Sequence, residues 1–287
     1  MSTYSIILSQ DKFVHKDSLH FPYEERALQF GDGVYEVIRV YNGEPYLFES
    51  HVDRLYRSLA AIKIDLKIEK ETLSSLLKEL IERNNVEEDC FIYLQVSRGS
   101  GTRIHHFPTD MEPNLYAYIQ KQPRNIDNVT NGVRTIIVED IRWKNCYIKS
   151  LNLLPNVLAK QAAAEKGCYE AIQHINGVVT ECASSNVYLV KNGKVYTHPA
   201  TNRILNGCVR MAVKEFCEKL DIPFIEEAFT LDDIHEADEM FLTSSNSEVS
   251  PIIEVDGKMI QDGKPGPVST LLQETYEKDA NISVKLA

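Results

Sequence analysis

The sequence predicts an α+β fold in two domains, and three observations predict it. Tight-turn signals recur between β-branched runs, amphipathic helical stripes alternate with those runs, and no GxGxxG follows a strand. Asn-Gly and Asp-Gly tolerate the positive φ that two-residue primed turns require, so four such pairs between strand-like runs mark antiparallel hairpins. Hairpins mixed with amphipathic helices argue against a doubly wound parallel sheet, and the missing glycine fingerprint removes the dinucleotide-binding option.

Asn42-Gly43, between EVIRVY and EPYLF, marks the first hairpin. Val52, Leu55, Leu59 and Ile62 recur at helical spacing, as do Leu73, Leu76, Leu77, Leu80 and Ile81, predicting two helices. Strand-like runs follow at 91–96 and 115–119. The polar stretch QKQPRNIDNVTNG at 120–132 reads as a linker and places a boundary near residue 122, giving domains of residues 1–121 and 122–287. Another strand-like run occupies 133–138. The segment DIRWKNCYIKSLNLLPNVLAKQAAAEKG at 140–167 reads as strand in its first half and helix in its second, with Ser150 as the helix N-cap. Asn176-Gly177, Asn192-Gly193 and Asp256-Gly257 mark further hairpins. Val209, Val213, Phe216 and Leu220 form a third helical stripe after Gly207, and 239–243 is again strand-like.

The 287 residues, 43% hydrophobic and 25% charged, suffice for a sizeable core. A net charge of -11 leaves no basic face for nucleic acid or an anionic membrane. Cys90, Cys146, Cys168, Cys182, Cys208 and Cys217 show no metal-ligand spacing, so no metal is expected and the thiols are expected to be reduced. MSTYSIILSQDKF lacks the basic flank and long apolar run of a signal peptide, and no stretch approaches a membrane span, so a cytoplasmic protein is expected.

Six segments could carry chemistry. Lys149 sits where the predicted strand meets the predicted helix; burial there disfavours the ammonium and makes the amine a nucleophile toward an aldehyde, although taken alone it reads more simply as a lysine snorkelling from a strand end. In VVTECASSNVYLV at 178–190, Glu181 ends a strand. An inward carboxylate is costly unless a cation or a protonated ring nitrogen meets it; the alternative is a turn glutamate beside a serine-rich loop. In ILNGCVRMAV at 204–213, Gly207 opens a helix whose N–H groups and dipole suit an anion, and FLTSSNSEVSP at 241–251 adds hydroxyls after a strand; ordinary capping explains either. Arg54 lies on the first helix, within FGDGVYEVIRVYNGEPYLFESHVDRLYRS at 30–58. The glycine-rich SRGSGTRIHHFP at 97–108 carries Arg103, His105 and His106, a natural carboxylate receptor or else a flexible surface loop.

Taken together and in this order, FGDGVYEVIRVYNG, HVDRLYRS, the lysine segment, the VTExxxSN stretch and the ILNG turn resemble the fold-type-IV pyridoxal-phosphate enzymes over essentially the whole chain. That family includes branched-chain aminotransferases, D-amino-acid aminotransferases and aminodeoxychorismate lyases. RIHHFP looks like the Arg-x-His-x-Phe-Pro loop of the bacterial D-amino-acid subgroup, and IRWKNCYIKSLNLL and EKGCYEAI also look closest to it. The resemblance implies a small α/β N-terminal domain, a larger C-terminal α/β pseudo-barrel that binds pyridoxal 5'-phosphate, and a homodimer.

It also implies residue roles. Lys149 is the Schiff-base lysine and proton shuttle, and Glu181 pairs with the pyridine nitrogen. Arg54 holds the phosphate with the backbone N–H groups of Cys208 and Val209 and the hydroxyl of Ser245, and Leu205 packs on the ring. Tyr35, Arg103 and His105 take the substrate carboxylate, the last two reaching across from the other subunit. Val209 stands where D-specific relatives can have threonine, so only its backbone could serve. Ser245 can replace a threonine hydroxyl, Cys182 and Ala183 fill small-residue positions after Glu181, and Ala27 replaces a common glycine. The implied reaction is ping-pong transamination between a D-amino acid (D-alanine, D-glutamate) and a 2-oxo acid. The alternatives are a branched-chain L-aminotransferase, an aminodeoxychorismate lyase, or a passive cofactor carrier, the last disfavoured because a carrier needs no electron sink.

Overall fold

The computed structural model describes residues 2–282, which divide into two compact units. The first holds the chain through Arg124 together with Ile148–Asn152; the second holds Asn125–Tyr147 and the chain from Leu153 onward.

In the first unit the elements are β1 (Ile6–Ser9), β2 (Lys12–His15), α1 (Arg26–Phe30), β3 (Gly33–Tyr41), β4 (Glu44–Pro45), α2 (Phe48–Ala61), α3 (Lys70–Arg83), β5 (Cys90–Ser97) and β6 (Asn114–Lys121). The strands form one antiparallel sheet in the order β2-β1-β6-β5-β3-β4. The two-residue side-chain period puts Val34, Ile38 and Val40 of β3 on one face, with Ile92, Leu94 and Val96 of β5 and Leu115, Ala117 and Ile119 of β6. The stripes of α2 and α3, among them Leu55, Leu59, Leu73, Leu77 and Leu80, close over that face. Each such leucine contributes about 1.5–3 kcal/mol by leaving water. The opposite face carries Tyr35, Tyr93, Tyr116 and Tyr118; Tyr93 stacks on Tyr118 at 5.1 Å and on Tyr35 at 5.9 Å between centroids.

The second unit runs α4 (Ile126–Asn131), β7 (Val133–Glu139), α5 (Leu154–Glu165), β8 (Glu170–Ile175), β9 (Val178–Cys182), β10 (Asn186–Lys191), β11 (Lys194–Thr197), α6 (Cys208–Lys219), β12 (Phe224–Glu226), α7 (Leu231–Ile234), β13 (Glu239–Ser244), β14 (Glu248–Val255), β15 (Lys258–Met259) and α8 (Pro267–Asp279). Its sheet has the order β12-β11-β10-β13-β14-β7-β8-β9, with β15 on β14. Ile172, Val179, Val187, Leu189, Met240, Leu242 and Ile252 share a core with Phe229 and Ile234.

The pairs Asn42-Gly43, Asn176-Gly177, Asn192-Gly193 and Asp256-Gly257 turn antiparallel strands, and both residues of each have positive φ, as at Asn176 (50°) and Gly177 (83°). Three pairings in the second unit are parallel instead: β11 with β12, β14 with β7 and β7 with β8. Parallel partners need crossovers, supplied here by α6 and α5 for the two sequential pairs, and turn signals cannot report them.

Two local expectations are corrected. Residues 141–148 form no strand: Arg142 folds back on Asp140 through its own N–H (3.0 Å), and Cys146 N donates to Asn202 O (2.9 Å). Ser150 is not the N-cap of α5; it bridges to Val34, and α5 begins four residues later with proline in its first turn. Proline suits that position because it lacks only an N–H that the helix would leave unused. The polar stretch at 120–132 is mostly structured, ending β6 and forming α4.

Candidate active site

Two groups of residues carry the candidate chemistry, one in each unit. In the first, residues 148–152 run beside β3. Tyr35 N donates to Lys149 O (3.0 Å), Leu151 N donates to Gly33 O (3.0 Å), and Lys149 N donates to Ser58 Oγ of α2 (3.2 Å). Gly33 allows this approach, since a Cβ there would lie 2.6 Å from Val96 O and 2.8 Å from Leu151 Cδ1. The lysine backbone is therefore held on both sides, and Nζ lies 4.2 Å from the centroid of the Tyr35 ring.

Tyr35 and Glu36 alternate across β3, so Glu36 enters the face covered by α2. It is fully buried and meets Arg54 in a two-pronged pair: Nε to Oε1 and Nη2 to Oε2, both 2.8 Å. His51 Nδ1 lies 2.8 Å from the same Oε2. Burial alone would raise the Glu36 carboxyl, but the Arg54 guanidinium and His51 outweigh it and hold the acid far below the usual carboxylate range. The predicted Arg54 is thus fixed by two residues that were assigned no role. The alternation of GVYEVIRVY could have pointed to Glu36, because an acid on the apolar face of a strand demands a cation.

Arg103 and His105 are exposed. They flank Phe30, the guanidinium 4.8 Å from the ring centroid and the imidazole ring 5.5 Å away. The Tyr35 ring packs instead with Tyr93 and Lys149.

In the second unit Glu181 closes β9 and is buried. Its carboxylate accepts from Asn186 Nδ2 (2.9 Å), from Leu205 N (3.1 and 3.2 Å to the two oxygens) and from Arg142 Nη1. Arg142 is anchored in turn by Asp140, with Nε to Oδ1 at 2.9 Å and Nη2 to Oδ2 at 2.7 Å, and Thr180 Oγ1 donates to Asp140 Oδ2 (2.8 Å). Burial pushes the Glu181 carboxyl upward, and Arg142 is the chief opposing influence. The loop after it is held by Glu170, whose Oε2 accepts from Ser184 Oγ (2.6 Å) and Ser185 Oγ (3.1 Å).

Asn186 also donates to Leu205 O (2.8 Å), linking the acid to the turn that opens α6. Gly207 is the N-cap; a Cβ there would stand 2.3 Å from Asn186 Oδ1. Cys208 and Val209 follow in the first helical turn, where N–H groups and dipole favour an anion. Ser245 lies in the β13–β14 turn, closed by Ser247 N donating to Ser244 Oγ (3.0 Å). Glu181, Leu205, Cys208 and Val209 are therefore joined through Asn186 and the turn. Arg142 and Asn186, like Glu36 and His51, are residues that sequence reasoning missed, although all four stand inside quoted motifs. Among the described residues no cluster of His, Cys, Asp or Glu could hold a metal ion, and no helix is long and apolar enough to cross a membrane.

The family described as amino-transferase class IV matches residues 33–255. The chain is 45% identical over 273 residues to the D-alanine aminotransferase of Staphylococcus aureus strain N315, spanning 95% of this chain and 96% of that protein. Its fold is that of the branched-chain amino acid aminotransferase of Escherichia coli, with a TM-score of 0.90 at 22% identity, covering 96% of this chain and 94% of the other. The T.th. branched-chain amino acid aminotransferase with pyridoxamine 5'-phosphate gives a TM-score of 0.89 at 23% identity, with 98% and 96% covered.

Proposed function

The chain belongs to the class IV aminotransferases, and we propose that it is the D-amino-acid aminotransferase its sequence resembles, using pyridoxal 5'-phosphate to move an amino group from a D-amino acid such as D-alanine to a 2-oxo acid. The cofactor supplies, when bound, an electron sink for the carbanion at the substrate Cα.

The residues fit that group. A carboxylate offers about four acceptor positions; Arg142 and Asn186 each take one, and the Leu205 N–H is shared between the two oxygens, so a protonated ring nitrogen can take the position that this N–H only half occupies. This buried, cation-backed acid is the observation that carries the reading. Glu181 keeps that nitrogen protonated, and Arg142 and Asn186 keep Glu181 oriented. Lys149 would hold the cofactor through its amine, and that amine would move the proton taken from the substrate Cα. Arg54, the N–H groups of Cys208 and Val209 and the Ser245 hydroxyl hold the phosphate, and Leu205 packs on the ring. Tyr35, Arg103 and His105 bind the substrate carboxylate and so select its hand. The reading includes a small N-terminal domain beside a larger cofactor-binding one, a homodimer in which Arg103 and His105 serve the partner's site, and a cytoplasmic location.

The test is an enantiomer panel on the purified yellow holoenzyme. D-alanine with 2-oxoglutarate should bleach and restore the colour and yield pyruvate. Faster turnover of L-leucine would favour the branched-chain alternative, and pyruvate release from aminodeoxychorismate without an amino acceptor would favour the lyase.

A further inference from the structure

We propose that Asp32, Arg26 and Arg98 form a positioning cluster that holds the loop carrying Arg103 and His105 in its carboxylate-binding shape. The proposal rests on the reading of those two residues as carboxylate ligands. Asp32 lies in the corner between α1 and β3 and receives two guanidinium groups. Its Oδ2 accepts from Arg26 Nε (2.7 Å) and Arg98 Nε (2.9 Å), and its Oδ1 accepts from Arg98 Nη2 (3.0 Å). The three side chains are 12%, 3% and 8% exposed. Two buried cations on one acid leave an excess positive charge, which a core built for stability alone does not favour.

The remaining arms of the two forks show where that arrangement is directed. Arg98 Nη1 donates to Lys63 O (2.9 Å) and Nη2 to Ile62 O (2.7 Å), tying the cluster to the end of α2. Arg26 Nη1 donates to Ile104 O (2.7 Å), the carbonyl between Arg103 and His105. The same Arg26 lies 4.5 Å over the Phe30 ring that Arg103 and His105 flank, and Arg98 lies 3.6 Å over Phe107. The loop is thus gripped at the carbonyl of residue 104, at Phe30 and at Phe107. Arg103 and His105 point to solvent from a backbone fixed in advance, and the ordering cost of binding a carboxylate falls accordingly.

The experiment compares Asp32→Asn, Arg26→Lys and Arg103→Ala with the unmodified enzyme. Arg26→Lys keeps the charge against Asp32 but loses the fork that reaches Ile104, so it preserves the fold if Asp32→Asn does not. Both cluster variants should raise KM for D-alanine about tenfold, with kcat within about twofold, because misplacement of a binding group acts on substrate capture. Tryptic cleavage after Arg103 should also quicken in the protein stripped of cofactor. If Arg26→Lys leaves KM and cleavage unchanged, or lowers kcat without raising KM, while Arg103→Ala raises KM, the positioning role is overturned by itself. If Arg103→Ala leaves KM unchanged, the carboxylate reading beneath it fails instead.

Discussion

Glu181 is a buried acid whose charge depends on one neighbour. Burial works against its ionised form, and Arg142, itself clamped by Asp140, works for it. Replacing Arg142 with Gln keeps most of the volume and removes the cation. Glu181 should then take up a proton and, in the role proposed for it, no longer hold the ring nitrogen protonated, so the first half-reaction with D-alanine should slow about 10²-fold, the scale of losing one preorganised electrostatic group. Stopped-flow absorbance measures that rate, and a value close to the unmodified enzyme's would contradict the role given to the pair. Lys149 and Glu181 could be singled out in the sequence because the motifs around them are long. Arg142 and Asn186 were not assigned roles, since what they do is defined by a partner 39 residues away for Arg142 and by a turn joined through space for Asn186.

Between elements, the tie of β3 to α2 runs through Glu36, Arg54 and His51. The folded Glu36 carboxyl titrates below its unfolded value, so its stabilising contribution is complete above the ordinary carboxylate range of about 4.3 and drains away as pH falls beneath it. Glu36→Gln leaves the two basic partners buried without their acid, which should cost about 3–5 kcal/mol near neutral pH. Thermal melts of the variant should also lose less between pH 6 and pH 3 than those of the unmodified protein; parallel curves would show that Glu36 is not the acid-sensitive tie. Helices and hairpins were readable at this scale because apolar period and turn chemistry are local. Ser150 and the stretch at 141–148 were misread for the same reason: their conformations answer to Val34, Asp140 and Asn202, which no local window contains.

At the scale of the whole molecule, the turn pairs disclosed antiparallel neighbours, yet the three parallel pairings of the second sheet depend on crossovers that composition and periodicity do not encode. The ordered motifs, spread over nearly the full length, reached the family where single residues could not. They also marked the lysine segment at 140–167, read there as part of the second domain; its residues 148–152 group with the first unit. The measurement that bears most directly on the account is borohydride reduction of the holoenzyme, which locks the cofactor onto the lysine that holds it, followed by tryptic peptide mapping. The label is expected on the peptide containing Lys149, with Lys149→Ala unlabelled and inactive. A label on another lysine, or none on an active enzyme, would contradict it.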